Sequence, residues 1–387
     1  MSDWPLVPLG GLVSQVARAE AVKPDGEYRL LGVRLEGNGA FHRETVRGTE
    51  TSASRLSRVE AGDFIYSRLF AWRGAFDLID PDLDGCFVSN EFPLFQVDET
   101  HLDARYLNRW FQLPATWHRV EEDCTGSTPT TRNRFKEEFF LRLEVPLPPL
   151  AEQKAIVARL DALDDKTRQL TTHLDAIEAD ADQLLAQQFQ AAIAGAPYRP
   201  MAEVAPLVRR QAIIEPDASY PELGIRSFGK GTFHKPAVQG LDLGNKRLFR
   251  IEAGDLVFSN VFAWEGAIAI AGPEDAGRYG SHRFMTCVVD VGQVLSEFLL
   301  YYLLSPEGLE KVREASPGGA GRNRTLGVEK LAKIEVPVPP LAAQQVFADL
   351  QAKHAALKES HAAIREDNMA LLPAIMERMF AAKNRID

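Results

Sequence analysis

The chain is short of cysteine, of long apolar runs and of surplus positive charge, and each shortage removes a class of protein. Its three cysteines, Cys86, Cys124 and Cys287, are far apart and odd in number. They make neither a disulfide framework nor a zinc-ligand spacing; incidental thiols in a cytoplasmic protein are the expectation. No stretch approaches the ~20 consecutive apolar residues of a membrane helix. The opening Met1-Ser2-Asp3-Trp4-Pro5 lacks the basic and apolar regions of a secretory signal. Signatures of chemistry are also missing: no GxxxxGK[ST] phosphate loop, no Asn-Pro-Pro-(Tyr/Phe) of amino-methyltransferases, no GxSxG elbow and no HExxH. Pro317-Gly318-Gly319-Ala320-Gly321 is glycine-rich but has no Lys-Ser/Thr after it, so it reads as a loop. The net charge is -10. Residues 1–144 hold 17 basic and 23 acidic side chains, residues 145–196 hold 4 and 8, residues 197–340 hold 17 and 17, and residues 341–387 hold 6 and 6. No segment is net basic, so any contact with nucleic acid must rest on a local stripe of cations.

What is present is one plan written twice. Residues 55–75 read RLSRVEAGDFIYSRLFAWRGA, and residues 247–267 read RLFRIEAGDLVFSNVFAWEGA. At the same offset Leu31-Gly32-Val33-Arg34 matches Leu223-Gly224-Ile225-Arg226, and Gly39-Ala40-Phe41-His42-Arg43 matches Gly231-Thr232-Phe233-His234-Lys235. Ser89-Asn90-Glu91-Phe92 matches Ser281-His282-Arg283-Phe284, Arg132-Asn133-Arg134 matches Arg322-Asn323-Arg324, and VPLPPLAEQ at 145–153 matches VPVPPLAAQ at 336–344. A period of half the chain means a duplicated domain, not a solenoid. The first part of each copy mixes short β-type runs, such as Phe64-Ile65-Tyr66 and Leu256-Val257-Phe258 after Gly-Asp turn signals, with short helical stretches at 102–113 and 295–304. That is an α+β unit.

The second part of each copy is a long helix. Pro148-Pro149 suit its first turn. From there Ile156, Leu160, Leu163, Thr167, Leu170, Leu174, Ile177, Ala181 and Leu184 alternate spacings of four and three, the seam of a coiled coil. Gly195 and Pro197 end it, giving a rod of roughly 65–70 Å. The C-terminal seam is Phe347, Leu350, Leu357, Ile364, Leu371 and Ile375, with His354, His361 and Asn368 also on it. Pro373 is expected to kink this helix or end its regular part. The economical packing sets the two helices antiparallel, with a globular domain at each end and a pseudo-twofold axis relating the halves. The expected boundaries are 1–145 and 197–336 for the globular domains and 146–196 and 337–387 for the helices.

The Pro-Leu-Pro-Pro-Leu-Ala-Glu-Gln run at 146–153, its echo at 337–344 and the Gly-Asp…Ala-Trp-(Arg/Glu)-Gly-Ala blocks resemble the specificity subunit of Type I restriction-modification enzymes. The loop Thr125-Gly126-Ser127-Thr128-Pro129, followed by Arg132, also resembles that family; the second copy departs from it at Ser316 to Gly321. The resemblance covers nearly the whole chain. It implies two target-recognition domains, each reading one half of a bipartite, asymmetric site in double-stranded DNA. It implies helices that set the spacer and dock two methyltransferase subunits, and restriction subunits that can join them. It implies no cofactor on this chain: S-adenosylmethionine and ATP belong to the partners.

Sequence is read by side chains in the grooves, while phosphates are held by Arg, Lys, Ser, Asn and backbone amides. Arg68 and Arg73 differ from their counterparts Asn260 and Glu265 within a constant frame, which suits base reading. Ser89 and Asn90 correspond to Ser281 and His282, with Arg283 next to them, in the second copy; Asn can pair bidentately with adenine, or the pair can close an Asx-type turn. Arg132, Asn133 and Arg134 with Arg322, Asn323 and Arg324 are the shared basic clusters, fit for phosphates or for pairing with nearby Glu137 and Glu138. Trp72 and Trp264 are expected to brace the loop, His42 and His234 to be satisfied turn residues, and the Glu60–Asp63 block to be turn architecture. The seam leucines are expected in the core. Asp161, Asp164 and Asp165 are expected on a solvated face. Two rivals remain: a coiled-coil scaffold with two ligand-binding heads, and a self-contained enzyme, which the missing motifs disfavour.

Overall fold

Apolar triplets that follow Gly-Asp turns become central strands in the computed structural model, which describes residues 4–124, 134–318 and 324–380. The chain divides into two compact units, Met1–Leu174 with Ala362–Asp387, and Asp175–His361.

In the first unit, strands Val13–Val16, Leu94–Val97, Phe64–Tyr66 and Phe76–Leu78 form an antiparallel sheet in that order. A second sheet runs Ala19–Ala21, Arg55–Arg58, Phe87–Val88, Glu27–Val33, Ala40–Arg47. The Glu27–Val33 and Phe87–Val88 neighbours are parallel, and the other pairs are antiparallel. The triplet Phe64-Ile65-Tyr66 is apolar throughout because both of its faces are covered. Phe64 and Tyr66 pack into an aromatic core with Phe76, Phe95, Phe111 and Phe140, while Ile65 faces Leu31 and Val88.

The second unit repeats this topology. Leu207–Val208, Phe284–Cys287, Leu256–Ser259 and Ile268–Ile270 form one sheet; Thr232–Gln239, Ser219–Ile225, Tyr279–Ser281 and Leu248–Arg250 form the other. Even the bulge recurs, at Leu30/Leu31 and at Pro221/Leu223. The edge strand Ala19–Ala21 is reduced in the second unit to a single bridge, Gln211 with Phe249. The expected helical stretches are present as Ala104–Phe111 and Ser296–Leu304.

The Glu60–Asp63 block is a turn, as expected. Gly62 and Gly254 take φ of +88° and +85°, and the amides of Glu60 and Glu252 donate to Asp63 Oδ2 and Asp255 Oδ2 at 2.9 and 2.8 Å. Arg18 and Arg210 close the same turns by pairing with Asp63 and Asp255 at 2.5 and 2.6 Å, a repeat not foreseen in the sequence.

The long helices are Leu150–Ile193, of 44 residues, and Leu341–Phe380, of 40. They run antiparallel within each unit. In the first, Asn368 Nδ2 donates to the Thr167 carbonyl, and Met376 and Phe380 join the core that holds Ile156 and Leu160. In the second, Phe189 meets Phe347, and Asp182 meets both His354 and Lys358. The seam differs from the sequence-based one. Ile156, Leu160 and Leu174 are buried, but Leu170, Ile177 and Leu184 are exposed, and Leu185, Phe189 and Ile193, which lie off that seam, are buried. Ile364 and Leu371 are likewise exposed, while His361 and Met376 are buried. The second helix also passes through Pro373 to Phe380 and does not end there.

The Pro-Pro-Leu-x-x-Gln motif has a physical role. Gln153 and Gln344 are fully buried. Gln153 donates to the carbonyls of Pro148 and His101 and accepts from the Asp103 amide. Gln344 does the same with Pro339, Gln293 and Leu295. Each glutamine ties the start of a long helix to the start of a short one.

Candidate nucleic-acid interface

Three loops converge in each unit. In the first, residues 67–75 carry Arg68, Trp72 and Arg73. The Arg68 amide donates to the Glu91 carbonyl, and the Arg68 carbonyl accepts from the Phe135 amide, both at 2.9 Å. This backbone clasp gathers Arg68, Ser89, Asn90 and Arg134. In the second unit Asn260 makes the same clasp with Arg283 and Leu326, at 2.8 and 2.7 Å. The frame is therefore constant while the side chains on it change.

Arg68 is held by Glu137 through two hydrogen bonds and by the Asn90 carbonyl. Burial alone would raise the Glu137 carboxyl, but the Arg68 bond outweighs it and holds the group below the usual carboxylate range. Burial would likewise lower Arg68, and the bond to Glu137 raises it instead. Arg134 pairs with Glu91 at 2.7 Å, and Arg73 lies 3.8 Å from Glu36. Ser89 Oγ accepts from the Glu91 amide at 3.4 Å, the turn geometry weighed above; the Asn90 residue is exposed. In the second unit Ser281 Oγ accepts from the Arg283 amide at 3.3 Å, and His282 and Arg283 are exposed. The Arg324 guanidinium stands 5.5 Å over the Trp264 ring. Arg132, Asn133, Arg322 and Asn323 lie outside the described residues, as do Thr125 to Pro129.

Trp72 and Trp264 brace their loops, each donating from Nε1 to the carbonyl three residues before it, Leu69 or Val261. His42 and His234 have partners as expected but lie in strands, not turns: His42 Nε2 is 2.9 Å from Thr45 Oγ1, and His234 Nε2 is 2.9 Å from buried Asp275. Asp161 is taken by Arg105 and Arg109 of the same unit, and Asp165 by Arg168.

A basic surface that the sequence reading passed over lies in the second unit. Leu243, Asn245, Lys246, Arg247 and His282 line a cleft of about 520 Å³. Burial, and then the like charge of Arg247, push the nearby Arg209 guanidinium down. Among the described residues neither Lys246, Arg247 nor Arg209 has a carboxylate partner. The first unit has a cleft of about 390 Å³ in the same region, lined by Arg43, Glu44, Glu50, Thr51, Ser52 and Ser89 among others. The two linings share only the matched pairs Leu243/Thr51 and Asn245/Ala53, so the two clefts differ in both position and charge. No group of acidic, His or Cys side chains among the described residues could hold a metal ion, and no helix there is long and apolar enough to cross a membrane.

Residues 57–179 match the family model of the Type I restriction modification DNA specificity domain, which bears out the resemblance read from the sequence. Two solved structures share the fold at low identity. The HsdS subunit from Thermoanaerobacter tengcongensis is 18% identical, with a TM-score of 0.60 over 98% of this chain and 97% of that one. A structure described under complex assembly and conformational transition of the type I R-M system is also 18% identical, with a TM-score of 0.66 over 97% of each chain. A comparison with curated proteins gives no match.

Proposed function

We propose that this chain is the DNA sequence-recognition subunit of a Type I restriction-modification complex and carries out no chemistry of its own. The supporting observation is a specificity-domain match within a frame that is built twice, with different side chains on the two copies. A repeated frame gives two similar ways of meeting a duplex. The changed side chains, Arg68 against Asn260 and Asn90 against His282, give two different half-sites.

Residues 1–145 and 197–336 are then the two target-recognition domains, and 146–196 and 337–387 the helices that dock two methyltransferase subunits. Those partners bring S-adenosylmethionine; a restriction subunit, where present, brings ATP. The complex works on cytoplasmic DNA. Candidate contacts are Arg68, Arg73, Ser89, Asn90, Arg132, Asn133 and Arg134 on the first half-site. On the second they are Asn260, His282, Arg283, Arg322, Asn323 and Arg324.

The test is coexpression of the chain with the methyltransferase of its own system, followed by sequencing of methylated adenines. A two-part motif is expected. Replacing residues 1–145 with another recognition domain is expected to change one half of the motif and leave the other intact. Methylation without a bipartite motif, or a motif indifferent to the swap, sinks the proposal.

A further inference from the structure

The hairpin between Glu27–Val33 and Ala40–Arg47, and its repeat between Ser219–Ile225 and Thr232–Gln239, end in tips whose backbone is pinned while their side chains are not buried. Each tip is closed by one amide, Arg34 to the Gly39 carbonyl or Arg226 to the Gly231 carbonyl, both at 2.9 Å. Each is then tied to the neighbouring loop. The Glu36 and Gly37 amides donate to Arg73 and Gly74 at 2.7 and 3.0 Å; the Phe228 and Gly229 amides donate to Glu265 and Gly266 at 2.8 and 2.9 Å. The loop that receives these bonds in the first unit is the one that carries Arg68 and Arg73.

Glu36 and Phe228 occupy matching places and have φ of +60° and +64°, the two non-glycine residues in the left-handed region among those described. An L side chain is strained there, and glycine would be at ease. The fold gains little in return, since Phe228 is 74% exposed and the Glu36 side chain 66%. The backbone is the same in both units, yet one tip presents a carboxylate and the other an aromatic ring. Strain kept twice, for outward side chains of different chemistry, points away from the fold and towards a ligand that differs between the units.

On the DNA-recognition reading above, we propose that Glu36 and Phe228 are sequence-determining contacts, one in each half-site. In the major groove a carboxylate accepts from the exocyclic amino group of cytosine, and a Phe ring packs on the thymine methyl. Glu36 would read the first and Phe228 the second.

Glycine replacements test this, because they remove the side chain and suit the backbone. The full chain carrying Glu36→Gly or Phe228→Gly is coexpressed with its methyltransferase, the methylated motif is sequenced, and the melting temperature of the complex is measured. Both variants are expected to melt at or above the wild type. Phe228→Gly is expected to lower discrimination about tenfold at one thymine of the second half-site and leave the first unchanged. Glu36→Gly is expected to do the converse at a cytosine of the first. An unchanged motif, loosening in the wrong half-site, or a lower melting temperature overturns the inference. A wild-type complex without a bipartite motif fails the functional reading itself; a bipartite wild-type motif that Phe228→Gly leaves intact fails only this one.

Discussion

Gln153 shows how much a single side chain can carry when all of its polar atoms are used. It is fully buried, gives two hydrogen bonds to carbonyls and takes one from an amide. Gln153→Ala leaves those backbone groups unsatisfied in a dry site, and about 1–3 kcal/mol of stability is expected to be lost. Gln153→Glu is expected to cost more, since a carboxylate cannot donate to the Pro148 and His101 carbonyls and its charge is buried against them. Chemical denaturation of the two variants checks both. The motif was plain in the sequence because it occurs twice, but its job was not: the His101 and Asp103 partners are some 50 positions away. Arg68 teaches the reverse. Its variation between copies marked it as a reader, and the structure places it against Glu137, a partner that the sequence linked to the Arg132–Arg134 cluster instead.

At the scale of elements, the long helices were legible as helices but not in their phase. A seam drawn at 3.5 residues drifts about 20° per heptad from a helix of 3.6 residues per turn. Over the four heptads from Ile156 to Leu184 this comes to about 80°, close to one residue step. Burial accordingly passes from Leu184, 47% exposed, to Leu185, 5% exposed. Leu185→Ala is therefore expected to cost about 2–5 kcal/mol, and Leu184→Ala to stay within about 0.5 kcal/mol; equal losses would restore the coiled-coil seam. The polar residues of the second helix do meet the first: His354 and His361 face Asp182 and Glu178, and Asn368 donates to the Thr167 carbonyl. Lys358 and then His354 hold the Asp182 carboxyl below its ordinary range. A carboxyl depressed on folding contributes stability above its unfolded pKa and loses it as the pH falls through the folded value. The helix pair of the second unit is thus expected to weaken on acidification, and Asp182→Asn to flatten that limb of a pH-stability curve. The effect should be modest and should shrink in high salt, because the side chain is half-exposed.

At the scale of the whole molecule, the difficulty is a net charge of -10 on a protein read as binding DNA. Composition could not resolve it, because the balance that matters is how many cations are already neutralised. In the first unit Arg18, Arg68, Arg105, Arg109 and Arg134 face carboxylates. In the second, Arg209, Lys246 and Arg247 do not among the described residues, and two of them stand beside His282 in one cleft. Phosphate contacts release counterions, and each contributes roughly 0.9 to the slope of log affinity against log salt. Lys246→Ala with Arg247→Ala, measured in the assembled complex, is expected to reduce that slope by about 2 and to weaken binding equally on all sequences. Because phosphates carry no sequence information, the methylated motif should stay as it was. A changed second half-site would make these residues base readers, and an unchanged slope would move the electrostatic footing elsewhere on the chain.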